Sequence, residues 1–103
     1  MFARVHELAV TSEQHQQGLE LVREQLLPWT RETSGFCGLI SLVDRGRGRS
    51  LVITLWVDEE ALRASADAAE RLSGLAAAAT GAERRALSDF EVSLFDVPRR
   101  VRP

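Results

Sequence analysis

FCGLISLVDRGRGRSLVITLWV, residues 36–57, sets two apolar runs of strand length around a short segment that alternates arginine with glycine. How that segment is read decides the fold. Glycines between arginines can cradle a phosphate, but a phosphate loop leads from a strand into a helix whose first amides hold the anion. Here residues 44–50 lead from one β-rich run into another, LVITLWV. Aspartate, glycine and serine between two such runs form a hairpin turn, with the glycines supplying positive φ. The hairpin predicts two antiparallel strands, 36–43 and 51–57, with Arg45, Arg47 and Arg49 as soluble charges at its tip.

Upstream, Ser34 and Gly35 end a helix. Its start is marked by Thr11 and Gln14, a capping-box pair, and Leu19, Val22, Leu26 and Trp29 recur at helical spacing, so it runs from about 12 to about 31. Pro28 is expected to kink or tighten its last turn. Residues 2–10 hold β-formers without helical spacing and read as a first strand, with Phe2, Arg4, His6 and Leu8 on one face. Downstream, Asp58 is an N-cap with Glu59 and Glu60 in the first turn, so a second helix follows the third strand at once. Gly74 is expected to break it, residues 75–87 to form shorter helical pieces with a turn near Gly81, and residues 89–97, DFEVSLFDV, to form the last strand. Residues 1–98 then form one domain, and 99–103 a basic tail.

Strand, helix, strand, strand, helix, strand is the ferredoxin-like α+β arrangement, βαββαβ, a four-stranded antiparallel sheet with its helices on one face. The second and third strands are apolar on both sides, whereas a strand facing water alternates. The uncovered face therefore predicts a homodimer packed sheet to sheet, closing a dimeric α+β barrel.

Composition excludes several classes. A net charge of −2 argues against nucleic-acid binding, and no run approaches the length of a membrane span. One cysteine rules out an internal disulfide, and with two histidines it leaves too few soft ligands for a structural zinc site. No metal and no cofactor are expected. MFARVHELAV lacks a signal-peptide core, so a cytoplasmic location is expected.

The stretch LVITLWVDEEALRAS, with a strand ending in Trp56 and the acidic pair Glu59 and Glu60 opening a helix one turn before Leu62, resembles the antibiotic biosynthesis monooxygenase-like group of the dimeric α+β barrel superfamily. PWTRETSGFCG, residues 28–38, is similar to that group's helix end and strand entry. The resemblance implies a pocket between helices and sheet in each subunit. It also implies members that oxidise polycyclic aromatics without a cofactor, degrade haem, or have no known activity. The cofactor-free oxidation relies on asparagine, tryptophan and tyrosine, of which only the tryptophan position is filled, by Trp56; the chain contains neither of the others. Haem-degrading relatives place an asparagine where His6 stands here and add partners on the second helix that this chain lacks, which makes haem oxygenation improbable.

His6 is the candidate catalytic group, a general acid or base near neutrality, set against a histidine that is merely hydrogen-bonded in the sheet. Trp56, Thr54 and Leu62 are the candidate substrate-binding residues: a ring to stack on a flat ligand, a hydroxyl on the same strand face, and an apolar wall. A strand-end tryptophan also closes cores. Cys37 reads as a small hydrophobe, His15 among glutamines as a surface residue, and Glu59 and Glu60 as helix-start charges without chemistry. The sequence thus points to a monooxygenase-like protein that binds or oxidises a flat organic molecule, such as a small aromatic ligand, without metal or bound cofactor. The alternative is a non-enzymatic barrel that binds a small ligand or serves as an interaction module.

Overall fold

The computed structural model describes residues 1–98. Along the chain come β1 (Phe2–Ala9), α1 (Ser12–Leu21), a π-helical turn (Val22–Leu26), α2 (Leu27–Arg31), β2 (Phe36–Asp44), β3 (Arg49–Trp56), α3 (Glu59–Ala64), α4 (Ala66–Thr80) and β4 (Glu83–Glu91). The strands form one antiparallel sheet in the order β2-β3-β1-β4. This is the expected βαββαβ arrangement, with the helices on the face that carries Arg4, His6, Ser50 and Val52.

The capping box closes as its residues require. Gln14 N donates to Thr11 Oγ1 at 3.1 Å, and Thr11 N donates to Gln14 Oε1 at 2.9 Å. The effect of Pro28 falls before it. Lacking an N–H, and with a ring that crowds the carbonyl four residues back, proline disrupts the α-helical ladder. The preceding turn widens rather than tightens, and Leu27 N–H reaches back five residues to the Val22 carbonyl. Gly35 then adopts φ +86°, and its carbonyl accepts from Val57 N at 2.8 Å. A side chain there would collide with Ala61, so this glycine lets the start of β2 lie against α3.

Residues 44–50 form the hairpin, with Asp44 paired to Arg49. Asp44 Oδ1 accepts from Arg47 N at 3.2 Å, and Gly48 takes φ +63°. All three hairpin arginines are exposed. Asp58 caps α3 through its side chain, which accepts from Ala61 N at 2.8 Å.

The C-terminal half departs from the sequence expectation in two places. The break comes at Ser65, between α3 and α4, and the helix runs through Gly74 to Thr80, where Gly81 at φ +77° caps it. The last strand is residues 83–91 rather than 89–97. Its register is set by β1: Arg4 lies opposite Asp89 and Phe2 opposite Glu91, and after Val92 N donates to Met1 O at 2.9 Å there is no further β1 backbone to pair with. The alternation in residues 92–97 therefore has no partner strand among the described residues, and Leu94, Phe95 and Val97 are exposed. The expected basic tail, 99–103, lies outside the described residues.

The sheet face away from the helices carries Val5, Ile53, Ile40, Leu42 and Phe90, of which Ile40, Leu42 and Phe90 are exposed. Among the described residues no helix is long and apolar enough to cross a membrane.

Candidate functional site

The space between helices and sheet is filled differently at its two ends. At one end large rings close it. Trp56 has no exposed surface, meets Phe36 edge-on at 5.7 Å between centroids and lies 6.4 Å from Trp29. At the other end α4 offers alanines, including Ala69, Ala76 and Ala79, too short to reach the sheet, and a cavity of about 320 Å³ remains. Its floor is His6 and Leu8 of β1, Ser50 and Val52 of β3 and Ser41 of β2; its opposite wall includes His15, Leu19 and the π-turn residues Val22, Gln25 and Leu26. Gln25, Leu75 and Ala79 are exposed lining residues and mark its rim.

His6 is buried, 7% exposed, and faces this cavity. No described group hydrogen-bonds its ring, and neither nitrogen is sealed away without a partner, so both are free for a ligand. Burial, then the positive charges of Arg4 and Arg84, push its pKa down to about 4; Glu70 and Asp89 oppose this weakly. His6 is therefore neutral at pH 7. An unfolded chain binds a proton here below its ordinary 6.5, while the folded one does so only below about 4. Stability contributed by the neutral ring is thus present above pH 6.5 and declines as pH falls to about 4, by about 3 kcal/mol in all. Urea unfolding of the wild type and of His6→Gln between pH 7 and 4 should show the steeper loss in the wild type.

His15, expected at the surface, is buried, 6% exposed. It falls on the face of α1 that the periodicity of Leu19, Val22 and Leu26 defines, one turn earlier, and its Nδ1 lies 3.2 Å from Ser50 Oγ. Burial, then Arg45, hold its pKa below the usual histidine range. The signal was present in the 15, 19, 22, 26 spacing, but the flanking glutamines masked it.

Trp56, Thr54 and Leu62 are buried outside the cavity lining. Trp56 Nε1 donates to Thr54 Oγ1 at 3.0 Å, and the Leu62 carbonyl accepts from Arg4 Nη2 at 2.7 Å. The register explains their separation from His6. Trp56 pairs with Phe2 and His6 with Val52, so tryptophan and histidine share a face but lie four residues apart along the strands, about 13 Å. The structure does not bring the three to the cavity with His6.

Arg4, on the same face, is 2% exposed and organises the region between the two ends. It donates to Ser65 Oγ at 2.8 Å and to the Leu62 carbonyl at 2.7 Å, and its Nε reaches Asp89 Oδ1 at 3.2 Å. It thus joins β1, the break between α3 and α4, and β4. Arg84 and Glu70 form a bidentate pair at 2.7 and 2.8 Å that ties β4 to α4 and holds the Glu70 carboxyl below its ordinary range. Cys37 is exposed, and among the described residues no three of His, Cys, Asp and Glu gather to hold a metal ion.

No family model matches the sequence, and no curated protein matches it significantly. Solved structures do. A monooxygenase of Streptomyces coelicolor, solved with nanaomycin D, superposes with a TM-score of 0.67 at 20% identity, over 94% of this chain and 91% of that one. SnoaB of Streptomyces nogalater, a cofactor-independent oxygenase solved in a mutant form, gives 0.64 at 19%, over 91% and 94%. A Nitrosomonas europaea protein of unknown function gives 0.67 at 20%, over 96% and 95%. At such identities the likeness is one of architecture, and it agrees with the resemblance seen in residues 51–65: this chain has the α+β fold of the antibiotic biosynthesis monooxygenase structures.

Proposed function

We propose that this protein binds a small, flat organic molecule in the cavity between α1, α4 and the sheet and oxidises it with molecular oxygen, without metal or bound cofactor. The observation that carries the reading is a neutral, unpartnered His6 at the floor of a largely apolar cavity whose volume lies at the low end of ligand pockets. The structural likeness to two enzymes named as oxygenases supports it. In the reaction that fits, a ring CH2 opposite a carbonyl and conjugated to it through fused aromatic rings enolises, and His6 takes the enolic proton. The enolate then delivers electrons to O2. CH2 plus O2 becomes C=O plus H2O, so the substrate is the reductant and oxygen the oxidant.

The electrostatics set a condition. Protonating His6 without a ligand beside it costs about 3 kcal/mol relative to an ordinary histidine. A bound oxyanion at hydrogen-bond distance reverses that, because an opposite charge favours the imidazolium. His6 is accordingly a base only when the substrate is present. The same weak basicity, with the absence of tyrosine and asparagine, favours the second reading: a non-enzymatic barrel in which His6 only holds the ligand.

Anthrone is the discriminating probe. Turnover predicts uptake of one O2 per anthrone consumed, at a rate that falls by about 100-fold or more in His6→Ala with binding retained. Binding without oxygen uptake establishes the non-enzymatic reading, and no binding of anthrone or related fused rings removes both. In either reading the exposed face with Ile40, Leu42 and Phe90 is covered by a second copy, so sedimentation equilibrium at micromolar concentration should give twice the chain mass. Leu42→Glu should shift the protein toward the monomer.

A further inference from the structure

The polar groups of the cavity are not scattered. Across the sheet, Ser41 of β2, Val52 of β3 and His6 of β1 lie in one row, and Ser50 is diagonal to His6 on the same face. Strand spacing puts Ser41 about 10 Å from His6, and the diagonal puts Ser50 about 7–8 Å from it. Val52 is the apolar floor between them. His15 stands over Ser50, with Nδ1 3.2 Å from its hydroxyl, and both line the cavity. A neutral imidazole and a hydroxyl hold two protons between them, and their mutual bond uses one. Whichever tautomer is present, the other proton remains free for a ligand: on the serine oxygen if Nδ1 donates, on Nε2 if it accepts.

We propose that the His15–Ser50 pair is a second, specificity-determining anchor, which acts with His6 to select flat ligands that carry oxygen atoms on two opposite edges. This rests on the cavity being a ligand site, and it narrows the substrate class. A ring with one polar edge satisfies His6 and leaves the pair without its partner in an apolar enclosure, whereas a ring with two satisfies both. Rejection of a ligand that leaves a buried polar group unpaired is how such sites discriminate. The pair touches the ligand's far edge, so its loss should alter which ligand is preferred more than how tightly a one-edged ring binds.

The test compares naphthalen-1-ol with naphthalene-1,5-diol by isothermal titration calorimetry. The wild type should bind the diol about tenfold more tightly, the worth of one added hydrogen bond. In His15→Leu the ratio should fall to about threefold or less, with naphthalen-1-ol affinity nearly unchanged. A folded His15→Leu with the wild-type ratio overturns the proposal and leaves the cavity a ligand site. If circular dichroism shows that variant unfolded, Ser50→Ala decides: the ratio should fall about threefold, and an unchanged ratio overturns the proposal. A wild type that binds neither naphthalene overturns the cavity reading and this inference together.

Discussion

Replacing Trp56 with alanine is expected to lower the free energy of unfolding by about 4 kcal/mol, within the range for removing a buried aromatic residue. Trp56 has no exposed surface, and its ring is the centre of the cluster with Phe36 and Trp29, so the void left behind is walled by rigid neighbours that cannot collapse into it. The loss has a polar component as well. Thr54 is 3% exposed and its hydroxyl accepts from the indole at 3.0 Å, so removing the donor leaves a buried oxygen without that partner. Trp56→Phe separates the two terms: it keeps most of the ring volume, removes the donor and should cost about 1–2 kcal/mol. Urea unfolding followed by circular dichroism at fixed protein concentration measures both variants. A cost below about 1 kcal/mol for Trp56→Ala would mean that this end of the layer is not a packed core.

The second large effect belongs to Arg4. Arg4→Gln should destabilise the protein by about 4 kcal/mol, because one side chain supplies charge-assisted hydrogen bonds to three acceptors, two at the α3–α4 break and one on β4, and a shorter amide cannot reach them together. Asp89 is half exposed and tolerates the loss of its partner, so most of the cost arises at the Leu62 carbonyl and Ser65. A spectroscopic signature accompanies it. Arg4 is the largest charge acting against protonation of His6, so the His6 pKa should rise from about 4 toward its ordinary value. Titration of the histidine ring protons by NMR reads this directly. A His6 titration unmoved by Arg4→Gln would place the arginine's field elsewhere.

Arg4 also shows why one half of the fold was legible in the sequence and the other was not. The hairpin at residues 44–50, the Thr11–Gln14 capping box and the Asp58 cap each join residues a few positions apart, so local chemistry decides them. The break at Ser65 and the register of β4 are tied together through Arg4, which is 61 residues from Ser65 and 85 from Asp89. Gly74 looked like a helix stop but is a tolerated interior glycine; α4 ends where Gly81 adopts the left-handed conformation. Within the site, His6 was visible as the one histidine on an inward strand face. His15 was hidden by its glutamine neighbours. The expectation that Trp56 would join His6 had the right face and the wrong distance along it, since strand pairing fixes register only once the partner is known.

The short side chains of α4 carry a consequence for how this molecule can change. Space here is set in large part by α4 residues such as Ala69, Ala76 and Ala79, and not by the sheet that bears His6 and Ser50. Adding or removing methylenes on α4 would resize the chamber while the chemistry beneath stayed in place. Divergent copies of such a gene could therefore exchange one ring system for another through single codons. The easiest stabilising substitutions, those that fill the void, are the same ones that would evict the guest.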